Sequence, residues 1–173
     1  MRIELLYGDI TELNVDCIIN AARPSLLGGG GVDGAIHRKA GIELKEECAK
    51  LNGCETGEIK ITSGFNLKSK YIIHAVGPRM NPLEETITEN DTFLLGSCYQ
   101  KSLEMAREMK FLDIAFPNIS TGSYGFPKEM AAQISLEIVS KFLIDNDFPK
   151  RVIFCCYDIE NLKHYIKLIE DKI

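Results

Sequence analysis

Cys17 to His37 reads CIINAARPSLLGGGGVDGAIH, and the order of residue types in it decides the fold class. Cys17-Ile18-Ile19 is a short apolar run of the kind that forms a buried strand. Asn20 stands at the strand end, four glycines follow at Gly28–Gly31, and Asp33, Gly34 and His37 fall on a helix start. Strand, glycine-rich loop and helix start together turn backbone N–H groups toward an anion. Four glycines in a row weaken any helix or strand, and close approach of a ligand to bare backbone is a reason to keep them. A flexible surface loop would also explain the glycines, but not the amide and the carboxylate that flank them.

The 173 residues are enough for one domain, 1–173, with a sizeable core. A net charge of −5 argues against a general nucleic-acid partner, which would need a basic face. A nucleotide-sized anion stays open, because amides and helix ends hold phosphate without lysines. No run approaches the roughly 18 apolar residues of a membrane span, so no membrane partner is expected. The start, MRIELLYGDITE, turns acidic within a few residues and does not read as a signal peptide. Cys17, Cys48, Cys54, Cys98, Cys155 and Cys156 show no C-x-x-C spacing. They read as reduced core thiols of a cytoplasmic protein.

Outward from the glycine stretch, strands are expected at Arg2–Tyr7, Cys17–Ala22, Asp113–Phe116 and Val152–Tyr157. Glu58–Ser63 and Tyr71–Ala75 read as a hairpin with a longer loop. Gly77-Pro78 and Asn81-Pro82 then break the chain. Helical spacing runs from Val32 through Ala40, over Ile42–Leu51, over Thr88–Met109 as the longest helix, and over Lys128–Ile144. A last helix, Asp158–Ile173, starts at Asp158 as N-cap. Strands separated by helices make a layered α/β domain. Ligands in such sheets bind beyond the carboxyl ends of the strands. The loops Ala22–Gly34 and Pro117–Pro127 could therefore wall one cleft from two sides.

Neither standard nucleotide motif accounts for the glycines. Gly29 to Gly34 fits G-x-G-x-x-G formally, but Ala22–Leu27 separate it from the strand, where a Rossmann unit begins at once. No Gly-Lys-Ser/Thr follows, which excludes a P-loop. The second loop, PNISTGSYGFP, offers small residues at Ser120, Thr121, Gly122 and Ser123 beside Tyr124 and Phe126. An aromatic there could stack on a sugar or base, or simply join the core. His37 lies one turn beyond Asp33 on the same helix face. His74 and His164 read as structural or exposed. Asp9 could cap a turn or accept from a ligand.

The blocks GDIT (Gly8–Thr11), NAA (Asn20–Ala22), PSLLGGGGVDGAIH (Pro24–His37), HAVGP (His74–Pro78), FPNISTGSYGFP (Phe116–Pro127) and CYDIEN (Cys155–Asn161) resemble a macro domain. The likeness is to the MacroD-type branch, which includes bacterial O-acetyl-ADP-ribose deacetylases and ADP-ribosyl hydrolases. It implies a single three-layer α/β/α domain around a mixed, mostly parallel sheet. It also implies that Asp9, with Ile10 beside it, accepts from the adenine amine. Gly30, Gly31 and Val32 would border the diphosphate and distal ribose, and Ser120, Thr121, Gly122, Ser123, Tyr124 and Gly125 would form a second phosphate loop. Asn20 would touch the distal ribose, with Tyr124 near it, and Asp33 would position the attacking water.

The branch usually carries a second asparagine where this chain has Arg23. A group that donates and accepts is replaced there by one that only donates. Arg23 would either lie over the cleft mouth or turn out to solvent; inside the cleft it would attract a diphosphate or pair with Asp33. Zinc-dependent macro domains place cysteine and histidine ligands around the glycine loop; this loop has no cysteine, and His37 alone makes no site. No metal and no cofactor are expected. The implied activity is hydrolysis of O-acyl esters of ADP-ribose, either O-acetyl-ADP-ribose or mono-ADP-ribosylated Asp/Glu of proteins. The alternative, which Arg23 favours, is an ADP-ribose-binding reader with little or no turnover.

Overall fold

In the computed structural model, which describes residues 2–81, 83 and 86–171, strand β1 (Ile3–Tyr7) passes through a 3-10 turn at Ile10–Glu12 into β2 (Cys17–Ala21). Helices α1 (Gly31–Ala40) and α2 (Ile42–Lys50) follow, then β3 (Ile59–Ser63), β4 (Tyr71–Ala75) and α3 (Glu89–Glu108). The chain ends with β5 (Asp113–Phe116), α4 (Lys128–Asp145), β6 (Arg151–Cys156) and α5 (Ile159–Glu170). Element ends differ from the sequence expectation by a residue or two. At Ala22 the difference is formal, since its N–H still donates to Ala75 O at 2.9 Å. Pro82 and the expected helix end at Ile173 lie outside the described residues.

Local chemistry sets the long helices. Thr88 and Asp91 form a reciprocal capping box ahead of α3, the longest helix. Asp158 accepts from Asn161 N at 2.8 Å and starts α5 as expected. Among the described residues no helix is long and apolar enough to cross a membrane.

The strands lie in the order β1-β6-β5-β2-β4-β3, all parallel except β3, which pairs antiparallel with β4. The sheet is thus mixed and mostly parallel, as the resemblance implies. Alternation within each strand feeds two cores. Ile19, Ile73, Phe116 and Phe154 pack against α3, α4 and α5, whereas Ile18, Ile72 and Ile153 pack against α1 and α2. All six cysteines are buried and unpaired.

This topology opens a crevice. β2 and β5 are neighbours, but β2 leads to α1 on one face of the sheet and β5 leads to α4 on the other. The two connections therefore diverge at the carboxyl ends of the strands, which is the switch point where α/β sheets bind ligands.

Candidate functional site

A cleft of about 580 Å³ fills that crevice. Every parallel strand contributes to it with the residues just past its carboxyl end, from Gly8 after β1 to Asp158 after β6. The β2–α1 loop forms one wall, and its four glycines do different work. A Cβ on Gly28 would press on the His37 ring, and one on Gly29 would meet Arg23 Nε at 2.5 Å. At Gly30 and Gly31 an added Cβ would meet nothing, and both face the cleft. Gly34, inside α1, lies so close to Gly29 O that no side chain fits between helix and loop. Gly31 opens α1 at φ +57°, and Gly30 caps it without a side chain. Bare backbone at a helix N-terminus is thereby left facing open space.

Asp33 lines the cleft in the first turn of α1, although only 3% exposed. Its Oδ1 accepts from Asn20 Nδ2 at 2.8 Å, and His37 Nε2 stands 3.5 Å from the same oxygen. Its Oδ2 is buried with no protein partner. Asn20 Oδ1, His37 Nε2 and Ser120 Oγ are likewise buried without a hydrogen bond. Native proteins leave few such atoms, and two of these, Asp33 Oδ2 and Ser120 Oγ, belong to residues that line the cleft, which points to a ligand there. Burial pushes His37 below its ordinary pKa; Asp33 opposes this and Lys45 adds to it.

The β5–α4 loop forms the facing wall. It is closed by Phe126 N donating to Ser120 O at 2.9 Å and Gly125 N donating to Gly122 O at 3.0 Å. Thr121 Oγ1 donates to Asn118 O at 3.1 Å. Tyr124 lines the cleft half-buried, with the Arg79 guanidinium 5.9 Å from its ring centre. At the far end, Asp9 Oδ1 accepts from Thr11 N at 2.9 Å and from Thr11 Oγ1 at 2.7 Å. Asp9 therefore caps the turn with one oxygen and keeps the other available to the cleft, with buried Ile10 beside it.

Most residues singled out from the sequence line this one cleft: Asp9, Ile10, Gly30, Gly31, Val32, Asp33, Ser120, Thr121, Gly122, Ser123 and Tyr124. Three do not. Asn20 is fully buried behind Asp33, because strand alternation turns it under α1. Gly125, exposed at φ +72°, closes the turn that begins at Gly122. His37 lines a separate depression of about 370 Å³ behind the glycines, with Arg38 and Lys45. Phe126 is a core residue and His164 is half-buried on α5.

Arg23 is exposed at the cleft mouth, the first of its two expected placements, without pairing to Asp33. It lies across Gly29 at the cleft edge and makes no ion pair with Asp33 or with any other described residue. The sequence reading also passed over residues that line the cleft. Tyr157, exposed beside Cys155, and Asn161 fall within the CYDIEN block, which was a usable signal. Lys128, paired to Glu160 at 2.5 Å, and Arg38 carry no local signal of a site.

The macro domain family model matches residues 19–135. A macro domain-containing protein of Methanosarcina mazei is 54% identical over 168 residues, 97% of this chain and 88% of that protein. The ADP-ribose glycohydrolase MACROD2 of Xenopus laevis is 49% identical over 171 residues; these span 98% of this chain but only 40% of that protein. Among solved structures, a mutant Oceanobacillus iheyensis macrodomain with ADPR superposes with a TM-score of 0.92 at 40% identity, covering 98% of this chain and 92% of that one. The Trypanosoma brucei macrodomain in complex with ADP-ribose gives a TM-score of 0.88 at 39% identity, over 97% of this chain and 69% of that one.

Proposed function

This chain belongs to the macro domain family, and from that premise we propose that it binds ADP-ribose in the cleft and hydrolyses O-acyl esters of it. The observation that carries the reading is Asp33: a buried carboxylate on the cleft, one oxygen tied by Asn20 and the other without a partner. Bare backbone at Gly30 and Gly31 faces the β5–α4 loop, and the diphosphate would lie between them. Adenine would sit at Asp9 and Ile10, with the exposed Tyr157 ring supplying a face. The distal ribose would then bend over Asp33 toward Tyr124.

In the reaction, Asp33 holds a water and takes its proton as the oxygen adds to the acyl carbonyl carbon. Backbone amides of the loops face the developing negative charge. The bond between the carbonyl carbon and the ribose oxygen breaks, and that oxygen recovers a proton. The products are a free carboxylic acid and ADP-ribose. Substrates of this class are O-acetyl-ADP-ribose and proteins mono-ADP-ribosylated on Asp or Glu.

The test is to incubate the purified protein with O-acetyl-ADP-ribose and with an ester-linked ADP-ribosylated protein, following release and binding together. Release from either supports the hydrolase. Binding without release supports the second reading, a reader of ADP-ribose, which the arginine at position 23 favours. Calorimetry should also show ADP-ribose binding more tightly than AMP; equal affinity would remove the two-walled phosphate site.

A further inference from the structure

Four buried side chains on four successive elements form one continuous hydrogen-bonded line. Thr62 Oγ1 on β3 is 2.9 Å from His74 Nε2 on β4, and His74 Nδ1 is 3.1 Å from Asn20 Nδ2 on β2. Asn20 Nδ2 is 2.8 Å from Asp33 Oδ1 on α1. Sheet register produces the line: Asn20 pairs directly with His74, and Thr62 lies two residues along β3 from Lys60, the cross-strand partner of His74. We propose that Thr62 and His74 are positioning residues for Asp33, acting through Asn20 to fix which carboxylate oxygen meets the substrate. The proposal rests on the reading of Asp33 as the group that holds the water.

The chemistry of each donor and acceptor fixes the direction of the line. A carboxylate only accepts, so Asn20 must turn its amide nitrogen toward Asp33; its oxygen there would face another acceptor. The same nitrogen then spends its second hydrogen on His74 Nδ1. That ring atom must accept, which leaves the proton on Nε2. Nε2–H donates to Thr62 Oγ1, whose own hydrogen goes to Ser63 O at 3.1 Å. Burial, with a smaller contribution from His37, pushes the His74 pKa down to about 3. His74 is therefore a neutral, fixed acceptor and takes no part in proton transfer.

The line ends with both amide hydrogens of Asn20 committed and Asp33 Oδ1 occupied. Only Oδ2 is left for a water or a ribose hydroxyl. A histidine kept solely for packing would be served as well by an apolar residue, because a buried polar pair removed together leaves little deficit. What an apolar residue could not do is hold the Asn20 amide in the one orientation that ties Asp33.

The test combines nitrogen NMR of the three histidines with two variants at the remote end of the line. In the wild type, His74 should show the neutral form protonated on Nε2 from about pH 5 to 8. Protonation on Nδ1, or a charged ring, overturns the proposal whatever the activity. Thr62→Val keeps the shape and removes the oxygen acceptor of Nε2–H, leaving it only the weaker Cys48 Sγ at 3.7 Å. It should disturb that signature and lower kcat for ester release about tenfold, the usual scale for losing an orienting partner, with KM little changed. Thr62→Ser should restore both. A wild-type kcat in Thr62→Val overturns the proposal, as does a loss that Thr62→Ser fails to recover. If the wild type binds ADP-ribose without releasing it, the hydrolytic reading fails by itself. The variants are then judged on affinity, where weaker binding by Thr62→Val supports the proposal and equal binding overturns it.

Discussion

The two loops that wall the cleft leave neighbouring strands and enter helices, yet they are supported differently. Behind the β2–α1 loop the sheet carries polar side chains, Asn20 and His74, leading to a carboxylate. Behind the β5–α4 loop lie Ile119, Phe126 and Phe116, all apolar and buried. Each loop has one non-glycine residue in the left-handed region, Leu26 at φ 61° and Ser120 at φ 64°. Leu26 is a buried apolar anchor, whereas Ser120 carries one of the unpartnered hydroxyls. The first loop is built to aim a charge, and the second to present neutral groups on a stiff apolar base. Changes at the carboxylate that the first loop leads to should therefore act on turnover, and changes to the second loop on binding.

Asp33→Ala tests this division most severely. Ester release should fall by at least about a hundredfold, the lower end of what general-base loss removes, while ADP-ribose affinity changes only a few-fold. Lost affinity with turnover retained would reverse the roles of the loops. A thermal midpoint on the same variant separates either result from unfolding.

The polar support behind the first loop should also leave a pH signature. The folded-state pKa of His74, about 3, lies below its ordinary 6.5. As pH falls below 6.5 the unfolded chain takes up this proton and the folded chain does not. Stability is then complete above about pH 6.5 and declines by about 1.4 kcal/mol per pH unit on the way down. His37, also lowered, acts in the same direction. Denaturant unfolding at pH 7 and pH 5 should differ by about 2 kcal/mol, and the difference should shrink clearly in His74→Gln. An equal pH dependence in the variant would mean that His74 is not held neutral.

On the other wall, Gly77→Ala would bring a methyl group onto Ser120 Oγ and within 2.6 Å of Ile119 Cγ2, so these two side chains of the β5–α4 loop must give way. KM should rise about tenfold, the scale of an overpacked contact, with kcat nearly unchanged. A fall in kcat alone would show that this loop also takes part in the chemistry. Asp9→Asn keeps a good capping residue and removes the charge. Affinity for ADP-ribose should weaken by about 1 kcal/mol with no change in thermal midpoint. An unchanged dissociation constant removes Asp9 from the site.

The smallest effect is expected at Arg23. Its guanidinium lies over Gly29 and makes no ion pair with Asp33, so Arg23→Asn should alter turnover by no more than about twofold, as for other exposed charges. A large rise would identify an inhibitory cation, and a large fall would place Arg23 in the mechanism.

Sequence alone made most of the fold legible, because its signals are local. Apolar runs such as Cys17-Ile18-Ile19, the Thr88 and Asp158 caps and the hairpin around Gly64–Ser69 depend on near neighbours in the chain. The glycine loop, Asp33 and the Ser120–Tyr124 loop were legible as residue types suited to an anion. The strand order was not, because it depends on pairings between strands far apart in sequence, such as β1 with β6. What Asn20, His74 and Thr62 do was equally hidden. Each is an ordinary polar residue on a strand, and only sheet register brings the three together behind one carboxylate. Arg23 shows the same limit from the other side. Its charge and place after the strand were plain in the sequence, but that it lies over Gly29 without reaching Asp33 is seen only in the folded loop.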